Sequence, residues 1–437
     1  MRFFITTLGC KVNQYESQAM EQRLRELGHT EVVPGEDFDL AIVNTCSVTA
    51  VADKKNRNVI RRLRKQCPEA VLAVCGCYSQ VKPEDARSLG ADVISGSGER
   101  TVFLELALQT LADRQRRESL DSALKRREFE RLPAGGLSTR TRAMLKVQDG
   151  CSNFCSYCII PYARGPVRSL PLDAALAQVR ELVGAGYQEI VVTGIEIASW
   201  GVDLDRTTGK RERLPQLVDA VCRAAAPVRI RLGSLEPRII DEAFCALLQG
   251  HANLCPHFHL SMQSGSDTVL ARMRRHYDTA RYSESVALLK RYFPGCAVTT
   301  DMIVGFPGET EAEFQESLSF LRKCGFASMH VFPYSRRPGT PADQMPGQLG
   351  NAVKEERSAA AIAVAEEMNR SFRTSMVGTV QAVLFEEPAG TLWTGHAPNS
   401  IRVYAPGEAL HNRILPVRIT GLYEDGVLGA PQAENRE

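Results

Sequence analysis

Three cysteines, Cys151, Cys155 and Cys158, stand at C-x3-C-x2-C spacing between Gly150 and Gly165. A short glycine-bounded loop with these gaps can wrap three thiolates around three corners of an iron–sulfur cube, leaving the fourth iron for something other than protein. A structural zinc ion is the alternative, but it wants a fourth Cys or His close by, and the neighbouring residues offer none. A second set of cysteines lies near the N-terminus: Cys10, Cys46, and the pair Cys75 and Cys77. Each follows an apolar run, so three thiols from neighbouring strand ends could meet at one point. Free thiols that happen to end strands are the other reading.

The elements that must position these residues follow from the apolar periodicity. Residues 1–112 alternate strand and helix signals: Phe3–Leu8, a helical Asn13–Leu27 closed by Gly28, then Leu40–Thr45 and Val71–Val74. Such punctuation predicts a parallel sheet with helices on its faces, whose ligands gather at the carboxyl ends of the strands. Before the third strand, Lys54, Lys55, Arg57, Arg61, Arg62, Arg64 and Lys65 crowd one helix without an acid among them. An RNA backbone and a merely solvated face both account for that run. Residues 113–142 read as a charged helix followed by the linker Pro133-Ala134-Gly135-Gly136-Leu137-Ser138.

From residue 143 to about 370 strand and helix repeat. Six candidate strands (Ala143–Val147, Glu189–Thr193, Val228–Leu232, Phe258–Met262, Val298–Val304 and Ser328–Phe332) predict an open (β/α)6 barrel, smaller than the eight-stranded one. Glycine-rich loops follow the strands: Gly194–Gly201, Gly233–Pro237, Gln263–Ser266 and Gly305–Glu309. Glycine there lets backbone approach a ligand, or simply makes a tight turn. Residues 371–431 hold short β-rich runs that predict a five-stranded barrel, a shape used by oligonucleotide-binding modules. This segment lacks lysine and is slightly acidic, so protein contact stays open beside RNA contact.

At 437 residues, 44% hydrophobic and 24% charged, the chain suits several globular domains. No apolar run reaches the roughly 20 residues of a membrane span, and no signal-peptide core opens the chain; a cytoplasmic protein without membrane contact is expected. Thirteen cysteines spread over this length are ligands or buried thiols rather than disulfides. The net charge of +2 confines any nucleic-acid surface to local patches.

The motifs together resemble the radical S-adenosylmethionine (SAM) methylthiotransferases. The resemblance rests on Thr7-Leu8-Gly9-Cys10-Lys11-Val12-Asn13-Gln14-Tyr15-Glu16-Ser17, Asn44-Thr45-Cys46-Ser47-Val48 and Gly76-Cys77-Tyr78-Ser79-Gln80, then the three-cysteine loop with Tyr157 before its last cysteine. Arg231–Pro237, His259–Ser266, Asp301–Thr310 and His330–Ser335 extend it through the barrel, and the C-terminal segment resembles a TRAM domain. Ser261-Met262 departs from the usual Pro-Leu, which reads as a packing change. What the resemblance implies is specific. One [4Fe-4S] cluster sits on Cys151, Cys155 and Cys158 and binds SAM at its open iron; an auxiliary [4Fe-4S] cluster sits on Cys10, Cys46 and Cys77. Cys77 is preferred to Cys75 because the Gly-Cys-Tyr-x-Gln frame matches.

Tyr157, Glu196, Arg231 and Glu236 are then candidates to hold SAM, with ordinary ion pairs at loop mouths as the alternative. Cys67, Cys222, Cys245, Cys255, Cys296 and Cys324 match no motif and read as buried thiols. Hydrogen abstraction from an unactivated base carbon lies beyond side-chain acid–base chemistry, hence the need for cofactors. The variant after Cys10 looks most like the branch that turns N6-threonylcarbamoyladenosine, 3′ of the tRNA anticodon, into its 2-methylthio derivative. The expected partners are the tRNA anticodon loop, where bases are unstacked, and an electron donor such as flavodoxin or ferredoxin. A base carrying a carboxylate asks for a cation, and Arg164, Arg168 and Arg337 are the candidates. A non-catalytic RNA-binding iron–sulfur protein and a methylthiotransferase acting on a ribosomal protein are the rivals.

Overall fold

The computed structural model describes residues 1–135, 141–205, 209 and 211–432. Its first sheet has six parallel strands in the order Thr30–Glu31, Arg2–Thr7, Leu40–Thr45, Val71–Gly76, Val93–Ser95 and Arg117–Ser119. The two central strands, Leu40–Thr45 and Val71–Gly76, are buried at every position. Helices cover both faces: Ala41, Val43, Leu72 and Val74 pack toward Ile60 and Leu63, while Leu40, Ile42, Val71 and Ala73 pack toward Met20, Leu24 and Phe103. At about 1.5–3 kcal/mol per buried aliphatic side chain, this two-sided burial outweighs local strand propensity.

The charged stretch after Asp113 departs from expectation, because it is not a helix. It forms the edge strand Arg117–Ser119 and a single 3-10 turn at Ala123–Lys125. Without an apolar stripe to bury, its charges pair across the surface: Arg117 with Asp113, Glu118 with Arg87, and Arg126 with Asp121. Part of the expected linker, Gly136 to Arg140, lies outside the described residues.

The middle of the chain has the expected six strand positions. Arg142–Lys146, Glu189–Thr193 and Arg229–Leu232 pair in parallel. Ser234–Leu235, His257–Leu260, Ala297–Val304 and Ser328–Pro333 do the same. Gly233 interrupts the third position, so that one strand serves both halves of an open barrel. Helices such as Leu172–Gly184, Leu214–Ala225 and Glu311–Cys324 pack outside it, and all contribute to one core. The helix Asn351–Ser375 buries Ala361, Val364 and Met368 against this core and runs beyond residue 370, where Phe372 reaches the C-terminal core.

The C-terminal strands Val380–Ala389, Leu392–His396, Arg402–Ala405, Gly426–Pro431 and Ile414–Tyr423 close a five-stranded barrel. Arg142 pairs with Glu386 at 2.6 Å across its seam with the central barrel. Among the described residues, no helix is long and apolar enough to cross a membrane.

Candidate active site

Cys10, Cys46 and Cys77 follow the carboxyl ends of three adjacent strands, whose register carries Thr7 beside Asn44 and Thr45 beside Gly76. Asn13 ties two of these ends together, donating through Nδ2 to the carbonyls of Leu8 and Thr45 at 2.8 and 2.9 Å. Asn56 holds the Cys46 carbonyl at 2.6 Å. Gly9 and Gly76 have φ of +106° and +110°. A Cβ on Gly9 would fall 2.7 Å from Cys46 Sγ, and one on Gly76 would fall 2.4 Å from the Thr45 carbonyl oxygen. Both positions therefore require glycine. The three thiols are electrostatic neighbours: Cys46 feels Cys77 and Cys10, and burial pushes its thiol up to about 12.

The loop carrying Cys151, Cys155 and Cys158 closes on itself through Cys158 N–H to the Cys155 carbonyl at 3.0 Å and Cys151 N–H to the Gly165 carbonyl at 3.0 Å. Burial pushes the Cys151 and Cys158 thiols up to about 12. Arg275 donates from Nη1 to Cys155 Sγ at 3.2 Å. Tyr157 packs edge-on against Phe306 with 6.4 Å between ring centroids. Beside the loop, Glu196 accepts from Asn153 Nδ2 and from the Ala198 amide, both at 3.2 Å. Burial and the neighbouring Glu236 raise the Glu196 carboxyl to about 7.

The two thiol groups are adjacent. Cys158 feels Cys77, and Arg164, from the helix Ile160–Arg164 after the loop, donates from Nε to Cys77 Sγ at 3.3 Å. Arg164 is fully buried. Its other donors meet Glu16 Oε1 and Asn13 Oδ1, both at 2.7 Å. Glu16 also meets Arg100 at 3.1 Å and Lys146 at 3.3 Å. Asp149 meets Lys146 at 2.7 Å and Arg168 at 3.5 Å. Burial alone would raise the Glu16 carboxyl, but Arg164, Arg100 and Lys146 overcome it and hold it well below the usual carboxylate range. Four buried cations thus face two buried carboxylates next to Cys77.

This arrangement fits iron–sulfur ligation. A buried thiol with its pKa near 12 becomes a thiolate only beside compensating positive charge. Iron would supply that charge, and guanidinium N–H groups already point at Cys77 and Cys155. Cys75 is placed differently: it packs with Phe3, Ile42 and Phe103 in the apolar core on the other side of the strand.

Cys10 opens onto a cavity of about 820 Å3, which Ile160, two residues after Cys158, also lines. Gly9, Cys10, Lys11 and Val48 line it from the first domain, strand ends from His257 to His330 from the barrel, and Asn399 to Arg402 from the C-terminal domain. Its polar wall is connected. Asp301 meets His259 at 3.2 Å and His330 at 3.3 Å, and Thr299 bridges His259 and His257 at 3.1 and 3.2 Å. Burial and the nearby charges of Arg231 and Lys11 push His257 well down, so it is neutral.

Not every expected site residue reaches this cavity. Arg231 pairs with Glu189 at 2.6 Å and gives its remaining donors to the carbonyls of Pro398 and Ala397, anchoring the C-terminal barrel. Arg164 and Arg168 belong to the buried network just described. Arg337 is buried against Asp53 and Ser47. None of these three arginines presents a free guanidinium. Of the unmatched cysteines, Cys222, Cys245, Cys255, Cys296 and Cys324 are buried, whereas Cys67 is half-buried. Sequence reasoning passed over Arg275, for which no motif signal existed. It also passed over Lys11, although that residue sits inside the quoted motif next to Cys10.

Comparison with known proteins agrees with this geometry. Residues 145–321 match the Radical SAM superfamily, and residues 2–96 match the Uncharacterized protein family UPF0004. The Threonylcarbamoyladenosine tRNA methylthiotransferase MtaB of Bacillus subtilis is 38% identical, covering 94% of this chain and 92% of that protein. The protein of the same name from Thermotoga maritima is 34% identical over 97% and 95%. The tRNA-2-methylthio-N(6)-dimethylallyladenosine synthase of Pelotomaculum thermopropionicum is 30% identical over 96% and 95%. Among solved structures, the radical S-adenosylmethionine methyltransferase TsrM from Kitasatospora setae superposes with a TM-score of 0.56 at 14% identity, covering 89% of this chain and 79% of that one. That last likeness is one of fold.

Proposed function

Because the chain belongs to the radical-SAM tRNA methylthiotransferase family, we propose that its substrate is N6-threonylcarbamoyladenosine 3′ of the anticodon, converted to the 2-methylthio derivative. The observation that carries this reading is the cavity that Cys10 lines, with Ile160 just after the cysteine loop and several charged side chains on its wall. Its wall offers Lys11, His259, Asp301, His330 and Arg402 to a base with a charged, hydrogen-bonding substituent. The relatives named for threonylcarbamoyladenosine support it, at 34–38% identity against 30–33% for those named for dimethylallyladenosine.

The cofactors are two [4Fe-4S] clusters and SAM. Cys151, Cys155 and Cys158 hold one cluster, and Cys10, Cys46 and Cys77 hold the other. When bound, these groups supply what no side chain can: a radical able to take hydrogen from a base carbon, and the sulfur and methyl that replace it. The protein's own residues do the rest. Arg275 and Arg164 donate to ligand sulfurs and favour their anionic form. Asn153, Glu196 and Glu236 make a polar rim beside the first loop, whose two carboxyl groups suit the amino group of SAM, and Tyr157 within that loop packs on Phe306. The anticodon loop supplies an unstacked base, and a small electron-transfer protein such as flavodoxin or ferredoxin supplies the electron.

Nucleoside mass spectrometry tests the assignment. Reconstituted protein, SAM and a reductant are incubated with tRNA bearing either threonylcarbamoyl- or isopentenyladenosine. A methylthio product on the first is expected; a product only on the second would overturn the substrate while leaving the reaction class intact.

A further inference from the structure

Lys11 follows Cys10 directly and lines the large cavity beside it. It also lines an adjoining recess of about 430 Å3 with Arg142 and Arg231. Among the described residues its ammonium has no hydrogen-bond or ion-pair partner. Its charged neighbours include two cations, Arg231 and Arg142, and the acid Glu189, and Glu387 lines the same recess. Glu189 is already taken, with both carboxylate oxygens on Arg231 at 2.6 and 2.9 Å. Glu386 in the same recess is held by Arg142 at 2.6 Å and His396 at 2.7 Å. Lys11 is exposed, so water rather than a side chain meets its ammonium, and an anion arriving in the cavity can pair with it directly.

The other charged donors on the cavity wall are occupied. Arg402 pairs with Asp425 at 2.9 Å. Arg373 donates to the carbonyls of Glu424 and Gly426 at 2.8 and 3.1 Å. His330 is on Asp301. We propose that Lys11 reads the carboxylate of the substrate base's N6 substituent and is the specificity-determining cation of this site. The proposal rests on the threonylcarbamoyladenosine reading above.

Place and chemistry both favour the base over an RNA phosphate. Cys10 is the exposed thiol of its group, so the base carbon that gains sulfur must come near it, and a group reading the same base must stand within one base's width. Lys11 is the adjacent residue. The same ammonium rejects an isopentenyl base, which would cover it with hydrocarbon and leave the charge unpaired.

Synthetic anticodon stem-loops provide the test, one carrying N6-threonylcarbamoyladenosine and one its neutral carboxamide. Binding to the reconstituted holoprotein is read by fluorescence anisotropy without SAM, and KM and kcat are read with it. Wild type should bind the carboxamide about 10- to 100-fold more weakly than the acid, the range of one charge-assisted hydrogen bond. Lys11→Gln should lose the same factor on the acid RNA, in KM more than kcat, and nothing further on the carboxamide. Lys11→Arg should recover most of it. Equal weakening of both RNAs by Lys11→Gln would mark a phosphate contact and overturn the proposal. So would equal binding of both by wild type, a comparison that needs no variant to fold. If wild type methylthiolates the acid RNA yet binds both equally, Lys11 alone is refuted. If it modifies only an isopentenyl stem-loop, the substrate reading falls as well.

Discussion

Cys75 and Cys77 stand on either side of Gly76, and that glycine separates their roles. On the strand Val71–Gly76, Cys75 shares a face with Val71 and Ala73, so its thiol is core. The turn at Gly76, with φ +110°, starts the short helix Cys77–Val81 and swings Cys77 toward Cys46 and Arg164. Cys75→Ala should therefore keep all iron and methylthiolation, at a cost of about 1–2 kcal/mol for a small buried side chain. Cys77→Ala should drop reconstituted iron from roughly eight to roughly four per chain while SAM cleavage persists. Iron analysis and product mass spectrometry read both, and the reverse pattern would exchange the two assignments. The glycine itself makes a third case. With the Thr45 carbonyl oxygen 2.4 Å from any added Cβ, Gly76→Ala has no room, and it too should lose the auxiliary iron.

At the scale of elements, one carboxylate gathers four of them. Glu16 on the helix Lys11–Glu26 meets Arg100 at the start of the helix Arg100–Asp113, Lys146 at the end of the first barrel strand, and Arg164 after the cysteine loop. Removing it leaves three buried cations short of a partner. Glu16→Gln should destabilise the reconstituted protein by about 3–5 kcal/mol, read as a lower denaturant midpoint near neutral pH. The sign follows from the depressed folded pKa: the contribution is complete above the ordinary carboxylate range and fades only as pH falls through the folded value. Such a hub was not legible in the sequence, because Glu16 and Arg164 are 148 residues apart and only domain docking joins them. Arg275 escaped notice for the same reason, reaching Cys155 across 120 residues. The strand-end cysteines were legible, since a buried parallel strand writes itself as an apolar run and its end is where the run stops. The edge strands Thr30–Glu31 and Arg117–Ser119 were not: they are short and charged, as edges are. The three arginines near the barrel mouth were assigned from sequence proximity to motifs, and burial gave them other partners.

The whole molecule sets how RNA can arrive. The helix Ala50–Gln66 starts where Ala50 N–H meets Ser335 Oγ at 2.9 Å, and Val48 just before it lines the cavity. Of its seven cations, Arg57 is drawn to Tyr78 and Asp85, and Arg64 to Asp92 and nearby carbonyls. Lys54, Lys55, Arg61, Arg62 and Lys65 stay exposed and, among the described residues, without an ion-pair partner. A face that was ambiguous in sequence thus resolves into two structural cations and five free ones leading away from the cavity mouth. The C-terminal barrel, lysine-free and slightly acidic, offers no comparable stripe. An anticodon loop whose base enters the cavity would run its backbone along this helix. Reversing Lys54, Lys55, Arg61 and Arg62 to Glu should weaken tRNA binding and flatten the slope of log K against log salt by about 0.7–0.9 for each phosphate that is no longer neutralised. The reconstituted iron content should stay unchanged. Filter binding across a salt series reads this, with the stem-loop that lacks the modification as a second ligand. Both RNAs should weaken by the same factor, because phosphate contacts position the RNA and carry no information about the base. An unchanged salt slope would move the RNA path to another face of the molecule.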